Sequence, residues 1–183
     1  MDQRKNVTQT RRLVFTAVSV ALCVVLPMAF HAVPNAGKVL LPMHIPVLLC
    51  GMLCGAPCGA VCGLLGPLLS SVLTAMPAAA MLPGMMVECA VYGLSAGAML
   101  RFLRTGRLYV DLYLSLLIAM LLGRVASGLA KALLFQAGEY TVAAWVTASF
   151  VTALPGIFLQ LLLVPSLVYC LMRAGQLPPR YPR

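Results

Sequence analysis

The run from His44 to Met76 is 33 residues long and mostly apolar. As a single helix it would reach about 50 Å at ~1.5 Å per residue, well beyond the ~30 Å hydrocarbon core of a bilayer. The chain must therefore turn inside it. Similar runs recur along almost the whole length, and 62% of the residues are hydrophobic against 9% charged. A water-soluble core of this size would leave most of that apolar surface in water. A bilayer asks only that every backbone polar group be bonded within helices. The fold class is an all-α membrane protein, forming one domain over residues 1–183.

Punctuation by proline and glycine divides the chain into six expected spans, at roughly 12–30, 44–55, 57–76, 84–103, 109–135 and 142–172. Gly55-Ala56-Pro57 is the expected turn in the long run, since proline suits the first turn of a new helix and glycine the end of an old one. The first span follows Arg11-Arg12 and is long for the apolar part of a signal peptide; with further spans behind it, it reads as membrane-embedded. Six crossings put both termini on one side. Arg4, Lys5, Arg11 and Arg12 before the first span, Arg101, Arg104 and Arg107 after the fourth, and Arg173, Arg180 and Arg183 after the sixth make up ten of thirteen basic residues on that side. The positive-inside rule assigns it to the cytoplasm, in a multi-pass protein of a bacterial-type plasma membrane. The net charge of +9 is thus topology signal, and no nucleic-acid partner is needed to explain it. The Asn6-Val7-Thr8 sequon lies on the same side and is a chance match.

Within the long run, CGMLCGAPCGAVCG places Cys50, Cys54, Cys58 and Cys62 at four-residue spacing, each followed by glycine. Cysteines at i and i+4 share a helix face, as a thiolate metal site requires. Small residues at the same spacing also mark helix seams in membranes. With no histidine among them, the packing reading is preferred: Cys50, Gly51, Cys54 and Gly55 on one helix meet Cys58, Gly59, Cys62 and Gly63 on the next. No metal, cofactor or disulfide is expected.

Catalytic patterns fail against the topology. Gly93-Leu94-Ser95-Ala96-Gly97 matches a nucleophile elbow in letters, but the elbow needs a strand before a helix. Ser95 lies about 18 Å below the outer end of the fourth span, whereas His31 and His44 are expected at the outer surface. Gly123 to Gly128 begins like a phosphate loop but continues Leu129-Ala130 where Lys and Ser or Thr are required. The chain is not expected to be an enzyme or to hydrolyse ATP by itself.

What remains is a set of charges in hydrocarbon. Glu88 in the fourth span and Arg124 and Lys131 in the fifth are ionisable residues where the solvent is lipid, and such residues point to function. Glu88 is about 8 Å and Arg124 about 17 Å below the outer ends of their spans, with Lys131 at the outer rim. Arg124 and Lys131 share a face with Ser127 between them, and Tyr92 is one turn from Glu88. Two readings stay open: a binding pocket with two cations, one carboxylate and an aromatic wall, or an ion pair that only holds helices together. Above this level, Ala32–Met43 (with Asn35 and Lys38), residues 77–83 and Gln136–Thr141 (with Glu139 and Tyr140) are expected to form a lid. His44 and Trp145 stand at the outer starts of their spans, Trp145 as an interface anchor or a stacking residue. Gln160 is expected to bond a neighbouring helix.

The Ala17-x-x-x-Ala21 pattern, the run LPMHIPVLLCGMLCGAPCG, then GPLLSSVLTAMP and MVECAVYGL, in that order within six spans, resemble the substrate-binding S component of an energy-coupling factor (ECF) vitamin transporter. The resemblance implies that Ala17 and Ala21 pack against a transmembrane T component, which carries two cytoplasmic ATPases. It also implies a small-molecule site among the outer halves of the fourth to sixth spans, under the lid loops, and inward release as the subunit topples. Glu88, Tyr92, Arg124, Ser127, Lys131, Asn35, Lys38, His44 and Trp145 are the expected substrate residues. Two cations over one carboxylate favour an anionic or zwitterionic molecule, with pantothenate the first candidate, then a folate or a queuine-like base. A non-transport scaffold or a stand-alone channel is the alternative, and a channel calls for a polar stripe through the full depth of the bundle.

Overall fold

The computed structural model describes residues 9–29, 39–132 and 141–175. Among them the chain is all-helical: α1 (Gln9–Ala29), α2 (His44–Cys54), α3 (Ala56–Thr74), α4 (Leu82–Phe102), α5 (Leu108–Ala130), α6 (Val142–Val146), a π-helical turn at Thr147–Val151, and α7 (Leu154–Arg173). By length and composition α1, α3, α5 and α7 can each cross a membrane, and α2 is a shorter apolar helix. The fourth helix is as long as α1 but carries Glu88 and Arg101.

The long apolar run breaks where the sequence predicts. Gly55 ends α2 at φ 95° and ψ 170°, a backbone region that a side chain disfavours. Pro57 then occupies the first turn of α3, where its missing N–H leaves no bond unmade. The sixth expected span is a correction, because it is interrupted. Thr152 N–H bonds back to Thr147 O (2.9 Å), one residue wider than an α-turn, and Pro155 opens α7. A proline there disfavours helical backbone at the residue before it and supplies no N–H to continue the ladder. The α4–α5 connection is tied down by Asp111, which is fully buried. Its carboxylate accepts from Thr105 N (2.9 Å) and Thr105 Oγ1 (2.7 Å).

The bundle is organised on a seam of glycines. Gly51 of α2 and Gly59 of α3 both meet the backbone of Gly93 in α4, and a Cβ on any of the three would run into a facing carbonyl or Cα. Gly63 of α3 packs in the same way on the backbone at Cys89 and Ala90, and Gly97 on Ala56 and the Gly51 carbonyl. The expected hairpin of small faces is present, with α4 as a third member. Cysteines fill the other side of α2 and α3 toward α1. Cys50 contacts Thr16 Oγ1 (3.7 Å), Cys23 contacts Met43 O (3.6 Å), and Gly66 leaves room for Cys23. Cys23, Cys50 and Cys62 are fully buried, and no group of three His, Cys, Asp or Glu among the described residues could hold a metal ion. The glycines of the repeat form the seam with α4, and Cys50 and Cys62 are packed in the core.

The outside of the bundle is apolar: Leu13 is 70%, Val72 73% and Phe102 74% exposed. Such a surface needs lipid around it. On α1 only Ser19 and Cys23 are buried, whereas Ala17 and Ala21 lie on the exposed side.

The seam generates a test. Gly93→Val pushes three carbons into rigid backbone, which helix propensity cannot offset, and should lower stability by about 3 kcal/mol. Val61→Ala, on the lipid-facing side of α3, should stay within about 0.5 kcal/mol. Thermal unfolding in detergent reads both; equal effects would mean that the seam is not the main packing constraint.

Candidate functional site

The site forms where α4 and α5 run antiparallel. Gly123 has no side chain, and the ring of Tyr92 lies in the space that its Cβ would fill. The tyrosine can therefore lie flat on α5 with its hydroxyl beside the next residue, Arg124. Arg124 Nε donates to that hydroxyl at 2.9 Å, and the hydroxyl donates to Glu88 Oε1 at 3.1 Å. Arg124 is only 3% exposed and Tyr92 fully buried. The carboxylate and guanidinium are thus joined through a phenol, not paired face to face. A charge-assisted chain of this kind is stronger in low dielectric than in water.

His44 enters from α2. Its Nε2 stands 3.7 Å from Glu88 Oε1, too far for a hydrogen bond, and its ring lies edge-on to Tyr92 with centroids 5.1 Å apart. Among the described residues neither imidazole nitrogen has a hydrogen-bond partner, and neither does Arg124 Nη2, although all three atoms are buried. This corrects the expected surface position of His44, which is almost completely buried and level with Glu88. Its burial comes from packing: α4 lies over α2 here, with Tyr92 and Glu88 against the imidazole.

The segment from α6 through the π-helical turn closes the other side. Trp145 Nε1 donates to Arg124 O (3.2 Å), and Gly128 leaves room for the indole. Phe150, in the π-helical turn, has its ring centroid 5.5 Å from the guanidinium carbon and stands edge-on to Trp145 at 5.6 Å. A wide turn at this point aims Phe150 at Arg124, and wide turns within helices often mark functional sites. Toward the start of α4, Ser127 Oγ donates to Gly84 O (3.3 Å), and the alkyl chain of Lys131 packs beside Gly84.

Seven expected residues are therefore brought to one region: Glu88, Tyr92, Arg124, Ser127, Lys131, His44 and Trp145. Asn35, Lys38, His31, Gln136, Glu139 and Tyr140 lie outside the described residues. Trp145, expected as an interface anchor or a stacking residue, packs edge-on against Phe150 and bonds the Arg124 carbonyl. Gln160 is a second correction: it is fully buried, but neither amide atom bonds a neighbouring helix. Phe150 was not singled out from the sequence, and Gly123 was noted only as the start of a rejected phosphate-loop match; the adjacency of Gly123 to an intramembrane arginine was the available signal. Ser95 donates to the Val91 and Tyr92 carbonyls of its own helix (2.5 and 3.3 Å), a back-bonded serine and not an activated nucleophile. A cavity of about 190 Å³, lined by Met28, Leu73, Thr74 and Met76, lies away from these residues.

The hydroxyl at the centre gives a direct test. Tyr92→Phe keeps the ring and leaves Arg124 Nε buried without its acceptor, a loss of about 1–3 kcal/mol. Thermal unfolding should show it; unchanged stability would mean that water or another group already serves the guanidinium.

Neither curated proteins nor solved structures gave a match to the chain. A family profile described as "ECF transporter, substrate-specific component" matches residues 11–168. That match spans α1 to most of α7 and includes every charged residue of the site. Members are membrane-embedded transport subunits that bind a substrate and are not enzymes. The chain belongs to the family of substrate-specific components of ECF transporters.

Proposed function

We propose that this protein captures a small anionic or zwitterionic micronutrient from outside the cell and delivers it inward with an ATPase-driven T component. On this reading the chain crosses the plasma membrane six times with both termini cytoplasmic. The Glu88–Tyr92–Arg124 region then lies in the outer half of the bundle. The observation that carries the proposal is Arg124: a guanidinium buried in a helical bundle, anchored by Nε and leaving Nη2 without a partner. A purely structural ion pair would be expected to use both ends of the guanidinium, because an unmet buried charge is strongly unfavourable. A ligand oxygen at Nη2 completes it. Pantothenate is the first candidate, then a folate or a queuine-like base.

The exposed position of Ala17 and Ala21 on α1 supports docking of that face on a T component, since small residues let a partner helix approach closely. A scaffold gains nothing from a buried arginine at this depth. A channel calls for polar residues along the full depth, whereas Glu88 and Arg124 gather in one region with His44, and the other buried charge, Asp111, is tied to Thr105 in the α4–α5 connection.

Two measurements test the proposal. Purified protein should release a small molecule on denaturation, identified by mass spectrometry, and Arg124→Ala and Glu88→Ala should each abolish its retention while the protein stays folded. Unchanged retention in both would return the cluster to a structural role. Ala17→Trp or Ala21→Trp should prevent co-purification with the T component and its two ATPases without affecting retention of the small molecule; an intact complex would mean that α1 docks by another face.

A further inference from the structure

Arg124 is 3% exposed, so a ligand can reach its guanidinium only if a neighbouring group moves aside. Tyr92 holds Nε through its hydroxyl, with Glu88 behind it, and its ring fills the space left by Gly123. Both residues belong to α4, whose backbone is locked on α2 and α3 by the glycine seam. Phe150 stands on another side, with its ring centroid 5.5 Å from the guanidinium carbon, and it is held differently. Among the described residues the π-helical turn that carries it has none buried, and neither that turn nor α6 packs extensively on another described helix. Of the described groups around Arg124, Phe150 is the one most easily displaced.

The wide turn is what sets this cover in place. Trp145 and Phe150 are five residues apart, and on a regular α-helix their side chains would point about 140° away from each other. A turn closed by a bond between residues five apart, as Thr152 N–H bonds to Thr147 O, brings such side chains toward one face. The two rings accordingly meet edge-on at 5.6 Å. Trp145 fastens the pair to α5, since its Nε1 donates to Arg124 O at 3.2 Å and its indole fits over Gly128. The indole is thus anchored on the backbone of the residue whose side chain Phe150 covers. One ring is held by a hydrogen bond, the other by the attraction of an aromatic ring for a cation.

An aromatic ring answers positive charge without offering a strong hydrogen-bond acceptor, and Nη2 stays unmatched beside it. An acid oxygen supplies both negative charge and acceptor, and charge-assisted hydrogen bonds are the strong ones. Exchanging the ring for such an oxygen is therefore favourable at the guanidinium. We propose that Phe150 is the gate of the substrate site. It caps Arg124 in the ligand-free molecule, moves out with the π-helical turn while Trp145 serves as the pivot, and yields its place to an acid oxygen of the substrate. The role toward substrate rests on the capture function proposed above; the opening itself needs no ligand.

The experiment follows opening directly. Phenylglyoxal, a small arginine-selective reagent, is added to the ligand-free full chain in detergent, and peptide mass mapping gives the reaction rate at each arginine. Arg101 is exposed and serves as the internal reference. In wild type, Arg124 should react at least about a hundredfold more slowly than Arg101. Phe150→Ala should raise the Arg124 rate by about tenfold or more and leave the Arg101 rate unchanged. Val151→Ala, in the same turn but 60% exposed, should change neither rate; an equal rise in this variant means a generally loosened segment and overturns the gate. Trp145→Phe keeps a ring but loses the bond to Arg124 O, so it should also raise the Arg124 rate, and it decides the question where Phe150→Ala does not fold. Unchanged Arg124 rates in the folded variants overturn the proposal, as does a wild-type Arg124 that reacts as fast as Arg101. The small molecule released on denaturation supplies the link to capture. Phe150→Ala should lose it at least about tenfold faster on dilution, and an unaltered rate of loss overturns the gate while leaving capture by Arg124 intact. Wild-type protein that releases nothing overturns the capture function and the gate's role toward substrate with it, even where Phe150→Ala exposes Arg124.

Discussion

The bond from Arg124 Nε to the Tyr92 hydroxyl is the contact around which the candidate site is arranged. An arginine within a membrane helix costs about 2.5–3.5 kcal/mol on insertion scales, and more for an isolated helix, so the bundle must answer the charge locally. It does so with a phenol backed by a carboxylate and with the face of Phe150. Each answer constrains another element. The phenol reaches the guanidinium because Gly123 lets the ring lie flat, and the segment carrying Phe150 is held by the indole of Trp145 on the Arg124 carbonyl. One side chain thereby fixes the relation of α4, α5 and the segment leading into α7.

The glycine seam supplies the other half of the arrangement. Without water there is no hydrophobic drive between helices, and association depends on how closely backbones approach. At Gly51, Gly59 and Gly93 they approach as closely as peptide groups allow. The seam also sets depth. His44 precedes Gly51 by about two turns and Glu88 precedes Gly93 by about one and a half, so joining the two glycines brings imidazole and carboxylate to one level. The candidate site is therefore a consequence of packing at a distance from it.

The legible parts of this molecule were those governed by local rules. Gly55-Ala56-Pro57 had to be a turn, small residues at four-residue spacing had to be a seam, and charged residues in apolar runs had to face inward. Glu88, Tyr92 and Arg124 could be grouped from depth alone because α4 and α5 are regular helices joined by a short connection. The errors came where packing or irregular backbone decides. His44 was read as a surface residue because its burial depends on α4 packing over it, and the sixth span was read as continuous because a π-helical turn has no apolar signature of its own. Gln160 was assigned a structural bond on general grounds, and only the packed arrangement of α7 reveals that no neighbour reaches its amide. Tertiary contacts decide such points, and a single sequence does not carry them.

Seam and site together limit how the molecule can move. Sliding α4 against α2 or α3 by less than a turn would press side-chain carbons into space that now admits only hydrogen, a barrier of the kind that makes packed cores bistable rather than deformable. The four helices α1 to α4 therefore behave as one body. The segment from α6 through the π-helical turn is different, because its described contacts through Trp145 and Phe150 are with Arg124 and Gly128 of α5, and among the described residues of the π-helical turn none is buried. On the proposed reading, access to Arg124 is governed by that segment. The force supplied by an ATPase-driven partner would enter at the exposed face of α1, across the seam from the site. On that reading a tightly packed seam lies between the two, and the reorientation of the whole subunit in the bilayer that the family resemblance implies would carry the site inward without α2, α3 and α4 sliding past one another.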